Sequence, residues 1–261
     1  VVGVSYFDQE MFVGERRDFG VADIAGVTEL SHDSIGIFAE LDYLINDKTK
    51  ITLGARWTEE SKDVTFNAIG SCEKDFSSCS GPSSGLMRSG TYDDTTPKIA
   101  VTHSLNEDVN IYASYTQGFR SGSFDARART IDSFLNSQPG PEEVTSIELG
   151  LKSTFNDGKV LLNIALFQAD YDDIQKLALE ECDVNIDTCP SGRIQRLINA
   201  AKATIEGIEI ETKLSITDQL SIEGSLGYTD AGFDEFLGFD ADGVRGYDPV
   251  TDPIAAAALK F

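Results

Sequence analysis

Histidine is almost missing from these 261 residues, with only His32 and His103 present, and cysteine is limited to four. Two distant histidines leave a Ser-His-Asp arrangement little to work with. Neither a P-loop nor a dinucleotide fingerprint occurs. The chain is therefore read as non-enzymatic, with no catalytic residue, cofactor or metal site assigned. Adjacent carboxylates such as Asp172-Asp173 and Glu180-Glu181 are plentiful, but neighbours on a strand point to opposite faces. No apolar run reaches the roughly twenty residues that a transmembrane helix needs. Basic residues are scarce, 21 against 44 acidic ones for a net charge of -23. That balance excludes a nucleic-acid partner, because phosphates require a basic footprint. The acidity reads as a solvated surface, with cation-binding or lipopolysaccharide-facing loops as the functional alternative. No amino-terminal signal peptide is visible, since VVGVSYFDQE reads as mid-strand, so the chain is expected to be a fragment.

The four cysteines form two matching pairs, Cys72 with Cys79 and Cys182 with Cys189, each enclosing six residues. Both pairs lie in stretches rich in Ser, Gly, Asp and Pro. Zinc favours shorter spacings and help from histidine. Two loop-stapling disulfides are the expectation, which implies an oxidising compartment.

What the chain does contain is alternation. From Glu143 to Asp173, Thr145, Ile147, Leu149 and Leu151 point one way and Ser146, Glu148, Gly150 and Lys152 the other. Asn156-Asp157-Gly158 tolerates positive φ and allows a tight reversal. Val160, Leu162, Ile164 and Leu166 then return on one face. Arms this long exceed the usual soluble strand of about five or six residues. They need a wide sheet with a lipid-facing side. Hydrophobic content of 41% and a mean hydropathy of -0.17 are compatible with that, because only every second residue of a transmembrane barrel meets lipid.

The same pattern recurs along the chain. A short strand covers Gly3 to Gln9, followed by a polar loop to about Ser31. Ile35, Ile37, Ala39, Leu41 and Tyr43 alternate next, then Ile51, Leu53, Ala55 and Trp57. A strand over Tyr92 to Ser104 contains Pro97, which should mark its start or a bulge. Val109, Ile111, Ala113 and Tyr115 follow. Beyond Thr204, Ile208, Ile210, Thr212 and Leu214 oppose Gly207, Glu209, Glu211 and Lys213. A lysine or arginine on the lipid face costs on the order of 2–4 kcal/mol and an acid less. Three successive charges therefore turn that face to water. Leu220, Ile222, Leu226 and Tyr228 return opposite it.

About nine strands result, joined by short turns at 46–48, 105–108, 156–158 and 217–219. These alternate with long loops at 9–31, 68–91, 123–141, 176–198 and from 234 onward. That alternation predicts an all-β, antiparallel up-and-down transmembrane β-barrel, with tight periplasmic turns and long extracellular loops. Tyr43, Trp57, Tyr115, Phe119, Phe167, Tyr171 and Tyr228 sit near strand ends, either as interfacial girdles or as ordinary strand aromatics.

At Ile111–Phe124, IYASYTQGFRSGSF, the sequence resembles the barrel of TonB-dependent outer-membrane receptors. Thr96-Pro97-Lys98, PEEVTSIELGLK at Pro141–Lys152, LFQADYDDIQ at Leu166–Gln175 and ATIEGIEIE at Ala203–Glu211 are similar to that family's segments in the same order. The resemblance implies a plugged barrel of about 22 strands. It further implies a receptor in the outer membrane of a Gram-negative bacterium that imports a scarce nutrient, often a ferric siderophore, with energy from TonB. Expected partners are outer-membrane lipid, lipopolysaccharide, TonB and the small ligand. Residues 1–261 are expected to be a partial barrel domain without plug or TonB box, and Phe261 a truncation point rather than a native terminus. A passive porin or adhesin-like barrel and a soluble all-β binding protein are the alternatives.

Under the barrel reading, Arg120, Ser121 and Ser123 lie near the extracellular end of a strand, with Arg120 facing inward. Arg120 could contact an anionic ligand through its planar fork of donors, or pair with a neighbouring Glu or with the plug. Tyr171, Asp172 and Asp173 sit at a comparable height. Candidate ligand contacts are thus Arg120, Ser123, Tyr171 and Asp173.

Overall fold

Period-two alternation suits a pleated backbone, and the alternating segments are strands in the computed structural model of the chain. It describes residues 1–18, 23–72, 79–80, 85–128, 131–181 and 193–237. In chain order the elements are β1 (Val2–Asp18), β2 (Asp23–Asn46), β3 (Thr49–Cys72), β4 (Cys79–Ser80), β5 (Leu86–Ser104) and β6 (Val109–Arg120). They continue with a short helix α1 (Ile131–Asn136), then β7 (Glu142–Phe155), β8 (Val160–Glu181), β9 (Arg193–Thr217) and β10 (Leu220–Phe236). Each long strand pairs antiparallel with the next in sequence, while β4 is a two-residue bridge to β3. Nine long strands thus form an up-and-down sheet whose edges are β1 and β10. The sheet is not closed within the described residues. At the β7–β8 hairpin, Asn156, Asp157 and Gly158 adopt φ of 55°, 52° and 84°, the left-handed values expected of this tripeptide.

The register aligns the two faces across the whole sheet. One row runs Leu41, Leu53, Ile99, Tyr115 and Ile147 through direct partners. Another joins Leu149, Leu166, Ile208 and Tyr228. Side chains of both rows remain uncovered by protein: Leu53 is 46% exposed, Leu149 53% and Tyr228 65%. A contiguous apolar face of this size is an interaction surface rather than a solvated one. On the opposite face polar side chains meet one another. Lys98 donates to Glu40 at 2.8 Å, Arg56 to Ser5 at 2.8 Å, Tyr112 to Glu148 at 2.6 Å and Lys213 to Glu223 at 2.5 Å. Glu209, Glu211 and Lys213 share this polar face, and Ile208 and Ile210 the apolar one.

The apolar band is shorter than the strands. On β3 it comprises Ile51, Leu53, Ala55 and Trp57, after which the same side carries Glu59 and Asp63. On β8 Leu162, Ile164 and Leu166 give way to Gln168 and Asp170. A tilted strand crosses a bilayer in about 9–11 residues, so a 24-residue strand continues well beyond it on the long-loop side.

Four expectations are corrected. Residues 9–18 and 23–31 of the stretch 9–31 are strand rather than loop, β1 and β2 staying in register from Val2↔Ala39 to Asp18↔Asp23, and residues 19–22 lie outside the described residues. Likewise β8 and β9 remain paired out to Glu181↔Arg193, inside the span expected to be the loop 176–198. Both extensions mix apolar and polar residues without a two-residue period, Met11, Phe12 and Val13 standing in a row as do Leu177, Ala178 and Leu179, yet the partner strand still satisfies their backbone groups. Pro97 marks neither a start nor a bulge. It pairs with Ala55 inside β5, one residue beyond the end of the β5–β6 ladder at Lys98↔Thr116, where a missing N–H is tolerated. Finally, Phe167 and Tyr171 do not belong to an interfacial girdle, because they share the polar face with Gly207 and Ala203. Tyr43, Trp57, Tyr115, Phe119 and Tyr228 stand on the apolar side.

Aromatic rings of the polar face lie over glycines of a neighbouring strand. Phe38 covers Gly3, Tyr112 covers Gly150 and Phe167 covers Gly207, each a direct cross-strand partner. A Cβ at any of the three glycines would run into the ring.

Of the cysteines, Cys72 and Cys79 have paired backbones in the β3–β4 bridge. Cys182, Cys189 and the Ala-rich end to Phe261 lie outside the described residues.

Candidate functional site

The excursion between β6 and β7 decides the geometry of the long-loop end. It folds back onto the polar face, where Phe134 of α1 stacks on Phe66 of β3 with centroids 4.9 Å apart. Phe124, Ala128, Phe134, Val64 and Phe66 form a small core, and Phe134 and Phe66 are 0% and 1% exposed. Arg88 spans the top of this core. Its guanidinium lies 5.7 Å from the Phe124 ring and donates to the carbonyls of Phe134 and Leu135 and to the Gln138 side chain.

Polar pins hold both feet of the excursion. At the first foot, Lys62 donates to Ser121 Oγ at 2.5 Å and to the Gly122 carbonyl at 2.9 Å, while Ser121 donates to Glu60 at 2.5 Å. His32 Nε2 contacts the same Glu60 oxygen at 3.1 Å. These groups sit beyond the apolar band, level with outward-facing Glu59 and Asp63. Burial pushes the Glu60 carboxyl up. The Ser121 hydroxyl, the Lys62 ammonium and His32 outweigh it and hold Glu60 below its ordinary value. For Lys62, burial outweighs the attraction of Glu60 and lowers the ammonium, with Arg120 adding repulsion.

The second set of pins centres on Gln175 of β8. Gln175 is buried, and its Nε2 donates to the carbonyls of Ser121 at 2.8 Å and Gly140 at 3.1 Å. Its Oε1 accepts from Ser123 Oγ at 2.7 Å, and its backbone N–H donates to Glu142 Oε2 at 2.7 Å. Asn199 of β9 accepts from the Gly140 N–H at 2.7 Å and donates back to the Gly140 carbonyl at 3.1 Å. A buried amide with every donor and acceptor engaged makes a rigid joint.

Three of the four candidate ligand contacts come together here. Arg120 ends β6 on the polar face opposite Glu142, with 3.6 Å between Nη1 and Oε1 and a side chain 64% exposed. Ser123 joins it through Gln175 and Glu142. Asp173 is the exposed residue of a bulge in β8 at φ 55°, and its carbonyl accepts from Asn199 Nδ2 at 2.5 Å. Tyr171 stands on the same wall opposite Val144 and Ala203 and is not part of that hydrogen-bonded group among the described residues. Asp172 turns to the other face and pairs with Lys202 at 2.8 Å. Gln175, Glu142 and Asn199 escape a reading by periodicity, since an isolated amide past a strand's apolar run carries no local signal of burial.

An exposed guanidinium paired with Glu142 at the end of a polar wall, backed by apolar rows, can bind and orient an anionic solute. Comparisons with known proteins agree with this architecture. A ferric-pyoverdine receptor of Pseudomonas putida is 25% identical over 175 residues, 66% of this chain and 19% of that protein. The crystal structure of the ferric yersiniabactin uptake receptor of Yersinia pestis superposes with a TM-score of 0.70 at 16% identity, over 90% of this chain and 33% of that one. A siderophore receptor of Acinetobacter baumannii gives 0.64 at 14% identity, over 95% and 41%. The chain thus spans about a fifth of the curated relative and a third of the first structure. The family described as TonB dependent receptor-like, beta-barrel matches residues 2–257, and this chain belongs to it, a barrel wall of the Gram-negative outer membrane.

Proposed function

We propose that the chain forms the wall of an outer-membrane receptor that binds a ferric siderophore outside the cell and imports it with energy supplied through TonB. The observation that carries this reading is Arg120, exposed on the polar face and braced by Glu142 beside a pinned loop. The siderophores named for the related receptors support the ligand class. Arg120, Ser123, Tyr171 and Asp173 would face the ligand, and the apolar rows would contact outer-membrane lipid, with lipopolysaccharide beside the strand extensions of the long-loop end. Family membership supports reading the protein as a receptor or transporter rather than an enzyme. A passive porin would need no energy source. Uptake of iron-loaded siderophores is therefore measured in a strain lacking the gene and complemented with wild type or Arg120→Ala, with and without a protonophore. Uptake should require the gene, collapse with the protonophore and fall at least several-fold in the variant. Unchanged uptake of every siderophore in the deletion strain sinks the proposal.

We further propose that Cys72–Cys79 and Cys182–Cys189 are disulfides, supported for the first pair by its direct cross-strand backbone pairing. Thiol alkylation of the unreduced protein that labels these residues would refute it.

A further inference from the structure

The apolar face is not evenly filled. Ala113 on β6 stands between Val101 on β5 and Leu149 on β7, with His103, Ile111 and Leu151 on the row nearer the short turns. A lone methyl between larger side chains leaves a groove of about 450 Å³. It opens on the apolar side of the sheet, so the chemistry that fills it is hydrocarbon: water against Val101, Ile111 and Leu149 would forfeit the gain of taking their exposed apolar surface out of water.

The groove has a polar end. His103 is the last residue but one of β5, next to the turn that leads into β6. Its Nδ1 is hydrogen-bonded to Thr49 Oγ1 at 2.8 Å, which leaves Nε2 as the ring nitrogen for an outside partner. Short turns mark the periplasmic rim of such barrels, so His103 stands at the headgroup level of the periplasmic leaflet. An apolar trough that ends in an imidazole and a hydroxyl at that height matches a glycerophospholipid in both parts.

We propose that this groove is a lipid site in which one acyl chain of a periplasmic-leaflet glycerophospholipid lies over Ala113, with its ester and phosphate region against His103 and Thr49. The inference rests on the apolar rows being the lipid-contacting face. It is tested with the full-length protein in vesicles of phosphatidylethanolamine and phosphatidylglycerol, doped with phosphatidylethanolamine that carries a diazirine in its acyl chain. After irradiation, labelled peptides are mapped by mass spectrometry. Label should concentrate several-fold on peptides containing Val101, Ile111 and Leu149. Ala113→Phe, which fills the trough, should reduce it to the level of the other strands, and Ala39→Phe on the same face should not. If Ala113→Phe gives no heat-modifiable barrel, Ala113→Leu replaces it. Even labelling of all apolar rows, label unmoved by the Ala113 variants, or equal capture of a diazirine-bearing lipopolysaccharide would overturn the site while leaving the lipid face intact. Label on the polar face instead would overturn the underlying face assignment.

Discussion

Gln175 holds Ser121 from 54 positions away, its side-chain amide donating to the Ser121 carbonyl at 2.8 Å. The same amide reaches Gly140, so one residue of β8 ties the first and last turns of an excursion from a different pair of strands. Leaving a buried donor or acceptor unsatisfied costs about 1–3 kcal/mol. Gln175→Leu should therefore loosen residues 121–141 without unfolding the sheet. Hydrogen exchange should show faster amides there and unchanged ones in β6 and β7. Uniform protection in the variant would mean that the aromatic core alone holds the loop.

Neighbouring residues of β9 should respond in opposite ways to charge. Ile210 is on the apolar row and Glu211 accepts from Asn163 Nδ2 on the polar face at 3.4 Å. Ile210→Lys is expected to cost on the order of 2–4 kcal/mol on folding into vesicles, whereas Glu211→Lys should cost well under half of that. Denaturant-driven folding into lipid measures both. Equal penalties would contradict the facing.

The loop should also loosen in acid. Glu60 is held below its ordinary value of 4.5, so the folded form binds its proton less tightly than the unfolded one. Its contribution is thus complete above the ordinary value and is lost as pH falls through the lower, folded one. Protease sensitivity of residues 121–141 should rise as pH falls below the ordinary carboxylate value, and Glu60→Gln should remove that acid dependence. A variant that keeps the same acid profile assigns the effect to another carboxylate.

Close packing of Tyr112 over Gly150 makes a coupled pair. Gly150→Ala should destabilise by about 1–3 kcal/mol, because the new methyl has to displace the ring. In a Tyr112→Ala background the same change should cost much less. A double-mutant cycle with no coupling would show that the ring swings aside freely.

Period-two alternation was enough to establish an all-β chain, its short turns and the facing of nearly every membrane-spanning residue. Those features are local: a pleated backbone sends Ile210 and Glu211 to opposite sides whatever surrounds them, and Asn156-Asp157-Gly158 carries its turn in its own backbone. Tertiary structure alone decided where the strands end, because past the apolar band the outer side turns polar and Met11, Phe12 and Val13 break the two-residue period, while the backbone from Gln9 to Asp18 still finds a partner in β2. It also decided that the excursion after Arg120 folds inward. The residues that hold it, Gln175, Asn199, Lys62 and Glu60, lie on other strands, and a buried polar side chain is recognisable only by the partners the fold brings to it.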